Sequence, residues 1–181
     1  MIRLFVALAL PERLRPWIQG LQAGVPGAKW ASPENLHLTL RFIGNVDGRL
    51  FADIMDALAA VRSPAFDLQL GGLGKFGERG RAESLWVGAD RSEPLTRLQG
   101  KVEGALQRLG LDPEHRKFLP HLTVARLKGA PSGRVADWLT AHSSFALPPF
   151  RVDRFTLFSS YLAREGAIYR AEAEYPLMEA A

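Results

Sequence analysis

The sequence predicts a mixed α and β fold built from two related lobes. Short alternating apolar runs, typical of half-buried strands, recur between longer segments that have the spacing of amphipathic helices. The frame His-x-Thr occurs twice, at His37 and at His121, each time in a strand-like run that precedes a helical segment. The two frames lie 84 positions apart, which suggests an ancestral duplication. We therefore expect one domain over residues 1–181, in which two intimately packed lobes each contribute one frame.

Each element is predicted from its apolar period and from the Gly, Pro, Asn or Asp residues near its ends. The predicted strands are 3–10, 36–43, 66–70, 85–87, 121–127, 155–158 and 167–175, and the predicted helices are 11–23, 47–61, 93–109 and 132–141. Asp47 and Ser132 are predicted N-caps, and Gly110 is predicted to end the third helix. The glycine-rich stretch 71–81, between the two halves, is predicted to be a mobile basic loop.

Composition indicates an ordinary globular protein. The chain has 181 residues, 47% of them apolar, and no cysteine for a disulfide or a thiolate metal site. No run approaches the roughly 18 apolar residues of a membrane span, and the apolar start, residues 1–10, lacks the cleavage site of a signal peptide. We therefore expect a cytoplasmic protein that needs neither a metal nor a cofactor.

The charge of the chain gives weak support to a partner that carries phosphates. The formal net charge is +4, and 18 of the cations are arginine against 5 lysine. A positive surface favours polyanionic partners such as RNA or nucleotides. A GC-rich genome or a preference for stability also produces arginine-rich chains, so charge alone leaves both explanations open.

The two His-x-Thr frames predict the chemistry. In a strand, each frame places an imidazole and a hydroxyl on one face, about 6.5 to 7 Å apart, and chance gives only about 0.1 such frames in this composition. One histidine can take a proton from water while the other gives one to a leaving oxygen, and the threonine hydroxyls can hold a phosphate. Metal catalysis is the less favoured alternative because the frames lack a second ligand at metal spacing. The spacing does not tell which histidine is the acid.

Two segments surround the frames, Trp30–Gly44 (WASPENLHLTLRFIG) and Phe118–Arg126 (FLPHLTVAR). Both closely resemble the two-histidine (2H) phosphoesterases, and the resemblance extends over nearly the whole chain. The branch that it resembles most is the bacterial and archaeal RNA 2′,3′-cyclic phosphodiesterase, also called 2′-5′ RNA ligase. This resemblance implies a bilobal α+β fold with a pseudo-two-fold axis, antiparallel sheets around a central groove, and helices packed outside.

The resemblance also implies an activity and its residues. The reaction would be hydrolysis of the 2′,3′-cyclic phosphate at an RNA 3′ end to a 2′-phosphate, together with a reversible 2′-5′ RNA ligase activity that needs no separate machinery. His37 resembles the proton donor, His121 the proton acceptor, and Thr39 and Thr123 the residues that bind phosphate. The implied partners are RNA ends, such as those of tRNA fragments, or small cyclic nucleotides. We expect a monomer without an obligate protein partner.

Four further residues are candidate substrate-binding residues. Arg41 follows Thr39 at i+2, so a regular strand would turn it toward the phosphate, although a solvated charge is the alternative. Arg126 follows Thr123 at i+3 and would face away, so its match to a family arginine implies either a bulge or a supporting role. Phe42 and Phe118 could stack on a base or could belong to the core.

Other functions remain open at this point. The same site could act on ADP-ribose cyclic phosphate or on a 2′-5′ oligonucleotide, or the chain could be a non-catalytic RNA-binding module. An RNA enzyme should gain affinity from basic residues outside the frames: Lys75, Arg79, Arg81, Arg116 and Lys117. His115 and His142 lie outside such frames and are predicted to be surface or capping residues.

Overall fold

The computed structural model of the protein describes residues 1–89 and 91–179. Its strands are β1 (Ile2–Ala9), β2 (Ala28–Trp30), β3 (His37–Val46), β4 (Phe66–Leu68), β5 (Leu70–Phe76), β6 (Ser84–Ala89), β7 (His121–Leu127), β8 (Phe150–Val152), β9 (Arg154–Ala163) and β10 (Gly166–Pro176). Its helices are α1 (Arg15–Gln19), α2 (Gly48–Ala59), α3 (Glu93–Arg108) and α4 (Ser132–Ala141), and short 3₁₀ turns form at Glu12–Leu14 and Pro33–Asn35.

Most strands form one antiparallel sheet, in the order β10-β9-β1-β3-β7-β6-β5, with β2 alongside β7. The two strands that begin with the His-x-Thr frames, β3 and β7, are neighbours at its centre and meet at one residue pair, Leu38 opposite Leu122. Strands β4 and β8 form a separate antiparallel pair. The predicted α+β fold with antiparallel strands is confirmed.

The sheet has an internal repeat with exchanged strands. Apart from the short strand β2, which lies between α1 and β3, the order strand, helix, His-x-Thr strand, helix occurs twice, as β1-α1-β3-α2 and as β6-α3-β7-α4. Strand β5 follows the first unit but pairs with β6 of the second, whereas β9 follows the second unit but pairs with β1 of the first. Because of this exchange, neither half of the sheet comes from one continuous piece of chain.

The core lies between the sheet and the helices. Apolar residues of α2 and α3, including Ile54 and Leu98, join the buried faces of β3 and β7 in one cluster. The side chain of Asp47 accepts a hydrogen bond from the amide of Leu50, so the predicted cap of α2 is confirmed. None of the described helices is long and apolar enough to cross a membrane.

Helix ends agree with the predictions in part. Gly110, at φ +95°, follows the last turn of α3 as predicted, because that conformation favours glycine. Ser132 is the first residue of α4 and not its cap, since Pro131 takes the cap position without a side-chain hydrogen bond. The first helix is shorter than predicted: a 3₁₀ turn replaces its first residues, and the chain turns after Gln19.

The prediction of a mobile loop over 71–81 is wrong for its first half, which is strand β5. Its glycines serve close packing: a Cβ at Gly74 would lie 2.1 Å from the indole ring of Trp86 on the neighbouring strand β6. Only the segment after Phe76 remains a connection to β6. Strands β2 and β8 were not predicted, because three residues are too few to show alternation.

Candidate active site

The two His-x-Thr frames meet where β3 and β7 join. Leu38 and Leu122 are opposite each other and buried, so their chain neighbours point to the other side of the sheet. In antiparallel register, His37 is then opposite Thr123, and Thr39 is opposite His121. Directly opposed side chains are about 5 Å apart and diagonal ones about 7 to 8 Å. We call this side of the sheet, with its two-by-two array of half-buried imidazoles and hydroxyls, the motif face.

Both imidazoles are oriented in the same way. The Nδ1–H of His37 donates to the carbonyl of Asn35 at 2.7 Å, and that of His121 donates to the carbonyl of Leu119 at 2.6 Å. A carbonyl only accepts, so Nδ1 carries the proton and Nε2 is left to take or give one. The Nε2 of His37 lies 3.1 Å from the hydroxyl of Thr39. The side chain of Asn35 donates to the carbonyl of Ala167, which ties this arrangement to β10.

The surroundings of His37 lower its pKa. Burial is the largest cause, because it penalises the charged ring. The hydrogen bond to the carbonyl of Asn35 acts in the opposite direction, and the positive charges of His121 and Arg126 lower the pKa further. His37 is therefore more readily neutral than an ordinary histidine before any anion binds.

A β-bulge follows each frame at the equivalent position. Thr39 pairs with Ala7 and Arg41 with Val6, so Leu40 is the extra residue of β3. Likewise Thr123 pairs with Trp86 and Ala125 with Leu85, which makes Val124 the extra residue of β7. Each bulge reverses the alternation of side chains that follow it. The first exposed residues after the bulges are Phe42 on β3 and Arg126 on β7.

The prediction that Arg41 shares the motif face is therefore wrong. Its side chain is 7% exposed and forms an ion pair of 2.5 Å with Glu103 of α3, on the helical side of the sheet. It also donates to the carbonyls of Phe42 and Asp112. The equivalent bulge at Val124 of β7 has the opposite consequence for Arg126, because it brings this arginine to the motif face.

Aromatic rings surround His37. Phe5 packs on its imidazole at 4.9 Å between ring centres, and Tyr169 meets it edge-on at 5.2 Å. Phe42 stacks on Phe5 and is 42% exposed, and the guanidinium of Arg3 lies over its ring. The sequence prediction missed Phe5 and Tyr169, although both lie in strands that it predicted, because only the register of β1, β9 and β10 brings them to the histidine.

The surroundings of His121 are different. Phe76 meets its imidazole edge-on at 4.8 Å, and Trp86 lies at 6.1 Å. Phe118 is half-buried and packs against the hydrophobic core, which agrees with the core alternative for this residue.

In the described part of the chain, no three His, Asp or Glu side chains are grouped as metal ligands, and independence from metal stays a prediction.

The remaining predicted residues lie outside the array. His115 is exposed, and His142 ends α4 with its ring against Trp138. The five basic residues named for RNA binding, Lys75, Arg79, Arg81, Arg116 and Lys117, are all exposed.

Comparison with known proteins matches this architecture to one family. A model of the 2′-5′ RNA ligase superfamily matches residues 10–163. The RNA 2′,3′-cyclic phosphodiesterase of Archaeoglobus fulgidus is 35% identical over 173 residues, which cover 93% of this chain and 97% of the relative. The one of Aeropyrum pernix is 37% identical over 149 residues, covering 81% and 84%.

Solved structures give the same result. The crystal structure of E. coli LigT complexed with 3′-AMP matches with a TM-score of 0.79 at 26% identity, over 97% of this chain and 98% of LigT. TT0787 of Thermus thermophilus matches with a TM-score of 0.80 at 25% identity, over 96% and 97%. Since the matched region contains both His-x-Thr frames, the chain belongs to the 2′-5′ RNA ligase superfamily.

Proposed function

We propose that this protein is a metal-independent RNA 2′,3′-cyclic phosphodiesterase, which opens a cyclic phosphate at an RNA 3′ end and leaves a 2′-phosphate. The observation that supports it is the two-by-two array on the motif face. Two imidazoles lie at diagonal corners, each with Nδ1 fixed by a carbonyl and Nε2 available, and a hydroxyl lies beside each. Such an array can hold one phosphate between an acid and a base.

In the proposed mechanism, Nε2 of His121 takes a proton from water as the water oxygen attacks phosphorus. The bond from phosphorus to O3′ breaks, and Nε2–H of His37 gives its proton to that oxygen. The hydroxyls of Thr39 and Thr123 bind the non-bridging oxygens and stabilise their growing charge. Attack by the 5′-hydroxyl of a second RNA in place of water breaks the same bond to O3′ and forms a 2′-5′ linkage, which is the ligase reaction.

The family resemblance implies that His37 is the proton donor. The lowered pKa of His37 opposes this role in the free protein. A donor must be protonated, whereas burial and the charges of Arg126 and His121 favour the neutral ring in the free protein. A bound phosphate anion has the opposite effect and raises the pKa of a neighbouring histidine. We propose that substrate binding supplies the protonated state of His37, and that Arg126 contacts the same phosphate.

The substrate proposal rests on the aromatic side of the site. Phe42 offers an exposed face next to Phe5, the ring that packs on His37, and a base of the RNA end can stack there. ADP-ribose cyclic phosphate, or a 2′-5′ oligonucleotide, is the alternative substrate for the same chemistry. Turnover of a cyclic mononucleotide and of a cyclic-phosphate RNA, compared side by side, separates the two substrates.

We place the protein in the cytoplasm, where RNA fragments arise, and propose that it acts as a monomer.

The test uses RNA that ends in a 2′,3′-cyclic phosphate, incubated with the protein in EDTA. We expect a 2′-phosphate product, and His37→Ala and His121→Ala should each lower kcat by about 10²- to 10⁴-fold. His115→Ala and His142→Ala are matched controls outside the array and should retain activity. An unchanged RNA with the wild-type protein would refute the enzyme and favour the non-catalytic RNA-binding alternative.

A further inference from the structure

A second basic feature lies on the helical side of the molecule, away from the motif face. It is a depression of about 550 Å³ between the end of α2 and the outer side of α3. Its cations are Arg62, Arg97, Lys101 and Arg108, and its floor includes Ala60, Gly100 and Gly104. We call this set the α3 basic surface.

Helix geometry explains why these residues lie together. At about 100° per residue, positions 97, 100, 101, 104 and 108 fall within an arc of about 100° on α3. The buried residues of the same helix, such as Leu98 and Val102, lie on the opposite side against the core. The α3 basic surface therefore faces away from the sheet that carries the histidines.

The cations of this surface are held in place but not neutralised. The guanidinium of Arg62 donates to the carbonyl of Ala59, and Nζ of Lys101 donates to the carbonyl of Arg62, at the C-terminal end of α2. These acceptors are uncharged, and both side chains keep further N–H donors. Within residues 1–89 and 91–179, only Arg97 of the four has a carboxylate partner, the exposed Glu93. The surface thus keeps a net positive charge.

Two glycines keep the floor of the α3 basic surface open, and no packing contact of the described residues requires them. Gly100 and Gly104 lie inside α3, where each glycine costs about 1 kcal/mol relative to alanine. A Cβ at Gly100 would have no neighbour within 4 Å, and one at Gly104 would meet only the flexible end of Arg108. Two glycines let an outside group approach the helix backbone closely between the cations.

The chemistry of the surface selects a phosphate backbone. Its lining residues include neither an aromatic ring that could stack a base nor a carboxylate that could accept from one. Recognition there would act through charge on successive phosphates, independent of sequence. We propose that the α3 basic surface binds the phosphodiester backbone of an RNA whose 3′ end occupies the motif face, which rests on the proposed function. A molecule of this size has a radius of gyration of about 16 Å, so only a long RNA reaches both places.

The experiment measures binding of RNAs of about 5 and about 25 nucleotides, each ending in a 2′-phosphate, by fluorescence anisotropy over a series of salt concentrations. For the double variant Lys101→Ala with Arg108→Ala, we expect about tenfold weaker binding of the long RNA and a salt slope smaller by about 1.4, from two lost phosphate contacts. Binding of the short RNA and turnover of a cyclic mononucleotide should not change.

Two controls make the result specific. Arg13→Ala with Arg49→Ala removes the same charge from other exposed positions and should bind the long RNA like the wild type. Gly100→Glu, compared with Gly100→Gln, places a carboxylate on the floor without changing the cations, and only the glutamate should weaken binding. The inference is overturned if the wild type binds both RNA lengths equally, or if the Lys101 and Arg108 variant matches the Arg13 and Arg49 control. Failure of the proposed function would instead appear as an unchanged cyclic-phosphate RNA after incubation with the wild type, whatever the two RNA lengths show in the binding assay.

Discussion

Two equivalent residues give the site its chemical asymmetry. Phe42 and Arg126 follow the bulges of β3 and β7, so the repeat of the sheet places an apolar ring on one side of the array and a cation on the other. Arg126 lowers the pKa of His37, and Phe42 covers Phe5, the ring that packs on His37. The two imidazoles are therefore alike in orientation but not in environment.

Removing the charge of Arg126 should raise the pKa of His37. In Arg126→Leu, one of the two positive charges that disfavour its imidazolium is gone, while burial is unchanged. NMR titration of the imidazole resonances measures the shift directly. Arg49→Leu removes an exposed charge from α2 and should leave the titration unchanged. An unaltered pKa in Arg126→Leu would mean that the arginine does not act on this histidine.

The lowered pKa of His37 also predicts how stability depends on pH. In the unfolded chain, its pKa is about 6.5, above the folded value, so the unfolded state binds more protons in this window. The contribution of His37 to the free energy of unfolding is thus present above pH of about 6.5 and falls as the pH drops toward the folded pKa. His37→Gln should flatten this dependence in urea unfolding at a series of pH values. An equally steep dependence in that variant would assign the effect to other groups.

Arg41 is a structural residue, and its loss should destabilise the fold. Burial alone raises the pKa of Glu103, but hydrogen bonds from Arg41, Gln107 and the amide of Glu114 outweigh it and hold the pKa below its ordinary value. Arg41→Met leaves this carboxylate, only 14% exposed, without its main partner. We expect a loss of about 3 to 5 kcal/mol in the free energy of unfolding, measured in urea.

Two variants test this explanation. The double variant Arg41→Met with Glu103→Leu should recover most of the stability, because no unpaired charge remains. Arg154→Met breaks exposed ion pairs only and should cost less than about 1 kcal/mol. If Arg41→Met were as mild as Arg154→Met, the ion pair with Glu103 would have no structural role.

Among the elements, β5 shows how a strand is misjudged from sequence. Gly71, Gly72 and Gly74 suggest a loop, yet the segment pairs with β6 as a strand. The indole of Trp86 occupies the space that a side chain at Gly74 would need, which explains the glycine there. Glycine in a strand then marks a close approach and not mobility. The contact also has a functional side, since the same indole lies beside His121.

Glycine substitutions in two elements should have opposite effects. Gly74→Ala places a Cβ within 2.1 Å of the Trp86 ring, and we expect a loss of about 1 to 3 kcal/mol as the ring is displaced. Gly100→Ala, in the open interior of α3, should gain about 1 kcal/mol. Thermal unfolding of both variants measures the difference. If Gly74→Ala left the stability unchanged, the indole would move freely. The variant should then keep its catalytic activity at His121 as well.

At the scale of the whole molecule, the exchange of β5 and β9 connects the two units of the repeat. Each half of the sheet needs a strand from the other half of the chain, and β3 and β7 share the Leu38–Leu122 pair at the centre. The His-x-Thr array exists only when both halves are folded against each other. This topology supports our prediction of a single domain.

We therefore expect one cooperative unfolding transition. Tryptophans lie in several elements, at Trp17, Trp30, Trp86 and Trp138, so fluorescence reports on both halves, and far-ultraviolet circular dichroism reports on the whole backbone. Both signals should give the same midpoint in urea. The fragment 1–79 should stay unfolded alone, because β1 lacks β9 and β5 lacks β6. Two separate transitions would show that the lobes are independent units.

The family resemblance of the sequence implied the antiparallel α+β class. The residues by themselves determined the mixture of strands and helices, the long elements, and the four residues of the array. These follow from local information: the apolar period, the caps, and a frame whose two members a strand places on one face. Only the tertiary structure decided which side of the sheet Arg41, Phe42 and Arg126 occupy, that β5 is a strand, and which aromatic rings surround each histidine. Bulges and pairings depend on the neighbouring strand, which the local sequence does not contain, and a one-residue irregularity reverses every side chain beyond it.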